Sequence, residues 1–292
     1  SVAIRLFPWK SECSPRWRDR FLCESRLVFQ SRHPNIVSVD SIEKDQGYTY
    51  TVMQLVSGIS LDQVLQGLGC KQAGAGGSDQ FESQTGYLYQ EQLTQVVNSF
   101  RQNYWRSVAR LGLQAANALR FAHRRGKLHC DLRPAHLIVN REGHCWLTGF
   151  SLPQQLEGTL KQQRVPTLQY QSPERIQGEM GKISDLYSLG CVLYELATLT
   201  PAFQAANSGA LIEQILKGRY TRPCEIVSEI PSALENIISR CLASSRQDRF
   251  QSADELSINL VRFLNGHAFK NHVKSDWKGR GKWSVFRKND IQ

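Results

Sequence analysis

His129-Cys130-Asp131-Leu132-Arg133-Pro134-Ala135-His136, with Leu147-Thr148-Gly149-Phe150-Ser151 soon after, is the stretch on which the fold reading turns. Between the two runs, Leu137-Ile138-Val139 and Cys145-Trp146-Leu147 read as a short hairpin around Gly143. Upstream, residues 105–123 carry apolar side chains at helical spacing. That run ends in Arg124-Arg125-Gly126, a basic last turn with a glycine stop. Downstream the pattern is helical throughout, over residues 184–199, 208–216, 232–241 and 253–264.

Towards the N-terminus the period changes. Val2-Ala3-Ile4-Arg5-Leu6 alternates, as a half-buried strand does, and residues 36–42 and 48–52 read as two more strands joined by a polar turn. Residues 18–31 form an amphipathic pattern that stops before His33-Pro34, where proline disfavours helix in the residue ahead of it. A helix is expected over 61–68 and another around 90–100. The Gly/Gln/Ser-rich stretch 69–86 between them has little to bury and is expected to be a flexible insertion. Strands first and helices afterwards define a two-part α+β arrangement.

The chain has 292 residues, 41% of them hydrophobic and 21% charged, which excludes disorder throughout and permits a substantial core. Eight scattered cysteines form no C-x-x-C pair, which argues against a zinc site or disulfide scaffold and fits a reducing intracellular compartment such as the cytoplasm. The richest apolar run, 186–199, carries Glu195 and reads as a buried core helix, so no transmembrane segment is expected. Because the chain starts at Ser1 and enters a strand at once, it reads as an excerpt of something longer. Net charge is +10, and residues 265–292 hold seven bases against two acids, among Trp277, Trp283 and Phe286. Such a tail suits either a solvated linker or contact with nucleic acid or anionic membrane.

Taken together the motifs resemble the protein-kinase family from Val2 to about Leu264. His129 to His136 is similar to the catalytic loop H-R-D-L-x-x-x-N, and Thr148-Gly149-Phe150 lies where D-F-G follows it. Val2-Ala3-Ile4-Arg5 looks like the V-A-I-K strand with arginine for lysine, and Glu24 falls where the family's paired helix glutamate belongs. Met53 takes the gatekeeper place at the hinge, Ser172-Pro173-Glu174 resembles A-P-E, and Asp185 and Arg249 match the central-helix aspartate and late arginine. Pro134 and Arg133 place the likeness nearer the serine/threonine class than tyrosine kinases.

The resemblance implies a small partial N-terminal β-sheet lobe over residues 1–56, lacking the glycine-rich loop. A mainly α-helical C-terminal lobe over 57–264 and a basic tail over 265–292 follow. It also implies what has changed. The family's metal positions hold His136 and Gly149 here, neither of which offers a carboxylate or amide oxygen, so no metal ligand is expected. Cys130 replaces the arginine that answers an activation-loop phosphate, so modified Thr159, Thr167 or Ser172 would lack that partner. Asp131 keeps the family's base position but, without metal, reads as a loop-organising carboxylate bonded to backbone and Arg133.

Arg5 is expected to pair with Glu24 as a structural clamp, against the alternative of an exposed edge-strand arginine. His129 and Phe150 are expected to stack over Asp185, and Glu174 to form a buried pair with Arg249. Ala3, Met53, Leu55, Ile138 and Thr148 line the family's adenine cleft, so ATP could enter, weakly and without metal; no other cofactor is expected. These residues imply a non-catalytic kinase-like scaffold or allosteric module with protein partners. The rival is a weak or atypical serine/threonine protein kinase using Asp131, with metal held by Glu142 or by the nucleotide alone. A third reading is a nucleic-acid or membrane binder acting through the tail.

Overall fold

The computed structural model describes residues 2–7, 32–45, 48–69, 84–150 and 165–267. The helix expected at 18–31, with Glu24, and residues 268–292 of the tail lie outside them. The N-terminal part is an antiparallel sheet of β1 (Val2–Phe7), β2 (Val39–Asp45) and β3 (Tyr48–Gln54), in the order β1-β3-β2. A second small sheet joins β4 (Ile59–Ser60), β5 (Leu137–Val139) and β6 (Cys145–Leu147), with β5 in the middle. The β5–β6 hairpin therefore spans the residues that its turn signals predicted.

Among the described residues, seven of the remaining elements are helices long enough to pack as rods. They are α1 (Leu61–Gly69), α2 (Gln84–Gln102), α3 (Tyr104–Arg124), α6 (Lys182–Thr198), α7 (Ser208–Leu216), α9 (Ser232–Cys241) and α10 (Ala253–Leu264). The single turns α4 (Val165–Leu168), α5 (Pro173–Ile176) and α8 (Pro223–Ile226) lie between them. Local chemistry sets several boundaries. Ser252 accepts the Glu255 amide at the start of α10 while the Glu255 carboxylate takes the Gln251 amide, a reciprocal cap close to a capping box. Asn207 and Ser172 cap α7 and α5 through their side-chain oxygens.

α6 is buried along almost its whole length, as expected of a core helix whose apolar residues do not segregate to one face. α3 and α9 pack against it, α10 packs on α3 and α9, and all share one apolar core that reaches β5, β6 and α1. The approach of α6 to α9 depends on Gly190, where a Cβ would stand 2.4 Å from the Cys241 Cβ.

Two expectations are corrected. The strand expected from Ile36 starts at Val39, because Asn35 to Val37 leave the N-terminal sheet for β6. There Leu147 N donates to Asn35 O at 2.8 Å and Val37 N donates to Leu147 O at 3.1 Å. Asn35 Nδ2 also donates to Cys145 O, and Gln114 of α3 accepts from both Asn35 Nδ2 and Cys145 N. Of the expected insertion 69–86, Gly69 ends α1 and residues 84–86 begin α2, while 70–83 lie outside the described residues; the expected helix at 90–100 is the middle of that longer α2. Polar residues ahead of Tyr89 can extend a helix once Leu93, Val96 and Phe100 anchor it in the core.

Candidate functional site

The loop between α3 and β5 is organised by one buried carboxylate. Asp185, at the start of α6, accepts from the His129 amide at 2.9 Å and the Cys130 amide at 2.9 Å. Its Oδ2 also takes a 2.7 Å hydrogen bond from His123 Nε2 at the end of α3. Burial pushes this carboxyl up, but the hydrogen bond and charge of His123, with His129, outweigh it and hold Asp185 below the usual carboxylate range. Fixing two successive amides on one side chain bends the chain sharply, and Cys130 accordingly adopts a left-handed φ of 64°.

His129 then fixes the following turn. Its Nε2 donates to Thr148 O at 2.8 Å while Nδ1 accepts the Asp131 amide at 3.2 Å, so the ring is the neutral Nε2–H form. Complete burial agrees, lowering its pKa to about 4. Its ring centroid lies 4.7 Å from that of Phe150, tilted by 53°. The His129–Phe150–Asp185 arrangement expected from the motifs is therefore assembled.

Asp131 sits beside this support with 13% of its side chain exposed. Its Oδ2 is 3.7 Å from Arg133 Nε and 3.5 Å from His136 Nδ1. His136 donates from the same Nδ1 to the Asp131 carbonyl at 2.7 Å, which closes the 3₁₀ turn Pro134–His136 back onto the loop. The His136 carbonyl in turn accepts the Thr148 amide at 2.9 Å. The His136 ring therefore lies against Gly149. A Cβ on Gly149 would meet His136 Cδ2 at 2.9 Å, Cγ at 3.0 Å and Nδ1 at 3.1 Å, and Gly149 has a φ of 73°.

Cys130 carries no charge into the activation-loop position. Its Sγ is 3.9 Å from Met180 Sδ, and burial raises the thiol to about 12. The late pair is built as expected: Arg249 Nη1 reaches Glu174 Oε1 and Oε2 at 2.9 and 3.0 Å, with Arg249 wholly buried. Ser184 donates to Glu174, Arg249 caps the carbonyls of Ala243 and Ser244, and its guanidinium lies over Tyr187. Few lone pairs are left wanting, which a desolvated ion pair needs in order to stabilise.

Of the cleft positions, Ala3 and Met53 face each other in the β1–β3 register, and Leu55 is 56% exposed just beyond β3. Ile138 packs against Gly58, where a Cβ would come within 2.7 Å of its Cγ2. Arg5 lies opposite Thr51 in β1, but its side chain is outside the described residues.

The sequence reading missed His123, which an apolar helix pattern disguises as a core position. It also missed the groove below Arg133. That cavity of about 410 Å³ is lined by Asp62, Arg133, Ala135, Tyr170 and Glu195, among others. Tyr170 donates to Glu195 at 2.6 Å; burial and Asp62 raise the Glu195 carboxyl, and the Tyr170 bond opposes them. No local motif announces such a groove, since its residues come from α1, the loop, the α4–α5 link and α6.

The family model described as the protein kinase domain matches residues 1–259. The chain therefore belongs to the protein kinase family. It is 28% identical over 262 residues to a probable serine/threonine-protein kinase, PknB, of Bifidobacterium longum, covering 85% of this chain and 33% of the relative. It is likewise 28% identical to the serine/threonine-protein kinase PknH of Mycobacterium tuberculosis, covering 88% of this chain and 37% of the relative. The chain thus spans roughly a third of the length of these curated relatives. The crystal structure of the M. tuberculosis PknI kinase domain matches with a TM-score of 0.61 at 19% identity, covering 89% of this chain and 84% of that one. That likeness shows the shared fold, a small β-sheet lobe on a helical lobe.

The family implies magnesium beside the nucleotide phosphates. The residues present do not fit it. A hard cation takes oxygen ligands, whereas position 149 offers no side chain and the space beside it is held by carbon and nitrogen atoms of His136. Among the described residues, no group of three or more His, Cys, Asp or Glu could hold a metal ion. None of the described helices is long and apolar enough to cross a membrane.

Proposed function

We propose that this domain of the serine/threonine-kinase family is non-catalytic and acts as a scaffold or allosteric module for protein partners. One observation carries the reading: the His136 imidazole lies within 2.9–3.1 Å of where a side chain at 149 would begin, and neither position brings a side-chain oxygen. Phosphoryl transfer depends on charge neutralisation at the phosphates, and losing a single well-placed electrostatic group costs on the order of 10²- to 10³-fold in rate. Here both metal positions have changed. ATP, where it enters the cleft beside Ala3, Met53 and Leu55, would bind weakly and without metal. The kinase-like frame is kept by Asp185, His129, Glu174 and Arg249, so what remains to act is surface and shape.

A second reading, a serine/threonine protein kinase that transfers phosphate from ATP to protein, draws more direct support from the relatives, all named as such kinases. Asp131 favours it too, since its carboxylate is partly open at the base position. A radiolabelled phosphotransfer assay with magnesium or manganese separates the two. The non-catalytic reading expects the same background for the wild type and for Asp131→Asn. Turnover that Asp131→Asn abolishes establishes the kinase reading in its place. Binding of nucleic acid or anionic membrane through the basic tail is a separate proposal, resting on its charge alone.

A further inference from the structure

The geometry points to positions 136 and 149 being one coupled unit, in which the His136 ring packs against Gly149 and crowds any side chain placed there. Three observations converge. The contacts that a Cβ at 149 would make are to Cδ2, Cγ and Nδ1, the base of the imidazole and not its far tip, so a small swing of the ring does not relieve them. The ring cannot swing freely, because Nδ1 is bonded to the Asp131 carbonyl and the His136 amide to the Arg133 carbonyl. Thr148, next to Gly149, is held by its own amide on the His136 carbonyl and by its carbonyl on His129, so the backbone leading into 149 is anchored too. Side chain and backbone are thus clamped on both sides of the close approach.

It follows that an aspartate restored at 149 alone does not recreate a metal site: it meets the imidazole first. Replacing His136 alone leaves a bare glycine with no carboxylate. The two positions have to change together, so the loss of the metal site is locked in place by packing as well as by chemistry. This deepens the non-catalytic reading and uses the same ring, but it is read from folding stability without nucleotide or metal, so it stands or falls separately.

The test is a double-mutant cycle on the whole chain, using Gly149→Ala, His136→Ala and the pair, followed by thermal melting in metal-free buffer. Alanine at 149 incurs backbone strain in either background but meets the ring only when His136 is present. The expected result is a melting temperature lowered by roughly 4 °C or more by Gly149→Ala beside His136, and by less than half as much in the His136→Ala background. Equal shifts in both backgrounds overturn the coupling. A second cycle with Gly149→Asp and His136→Asn reads metal. Only the double variant should gain a magnesium-dependent shift with ATP, and such a shift from Gly149→Asp alone would also overturn it.

Discussion

Asp185 and His129 set the loop's conformation through opposite charge states. The carboxylate is stabilised by donors on three sides, while the imidazole is kept neutral by complete burial. Both dispositions make the fold sensitive to acid. The folded pKa of His129 is about 4, below the ordinary value of 6.5, so the unfolded chain takes up that proton first. Its contribution is therefore complete above 6.5 and declines as pH falls from 6.5 towards 4; the depressed Asp185 carboxyl loses its share at still lower pH. Denaturant melts at pH 7.5 and 5 should show markedly lower stability at 5, and His129→Gln should flatten that difference. A wild type equally stable at both values refutes this account of the ring. The identities of these residues and the loop they organise were legible in the motif spacing. His136 as a space-filling ring was not, because turn signals give the β5–β6 hairpin but not how closely the residues flanking its two strands approach one another.

At the scale of elements, periodicity was informative where one helix or strand face alone meets the core. α7, α9, α10 and the β5–β6 hairpin lie where their patterns put them. It failed where a segment is claimed by a distant partner. Asn35 to Val37 have strand-like sequence, yet β6 and Gln114 take their hydrogen-bonding groups and tie the N-terminal sheet to the helical part. Close helix approach is likewise invisible from composition. Gly190→Ala should destabilise the fold by about 1–3 kcal/mol, because the added methyl meets the Cys241 Cβ at 2.4 Å where α6 crosses α9. Cys241→Ser keeps that Cβ and should not rescue the loss, whereas Cys241→Gly should recover part of it. Urea denaturation measures each of these proteins, and a neutral Gly190→Ala would show that the two helices have slack.

At the scale of the whole molecule, the two-part order of strands then helices could be read from the chain because each lobe's elements are contiguous in sequence. What remained hidden is how residues distant in sequence converge within the helical lobe, as in the groove of Asp62, Arg133, Tyr170 and Glu195. The overall fold is that of a family built around metal-assisted phosphoryl transfer; the Glu174–Arg249 pair and the Asp185–His129–Phe150 support are built, while positions 136 and 149 carry His and Gly. The most direct measurement of that claim is the thermal stabilisation of this chain by ATP, titrated with magnesium and then with EDTA. The account predicts a small shift of the same size in both. A stabilisation of several degrees that appears with magnesium and vanishes on chelation would mean that the polypeptide does grip a cation beside the triphosphate.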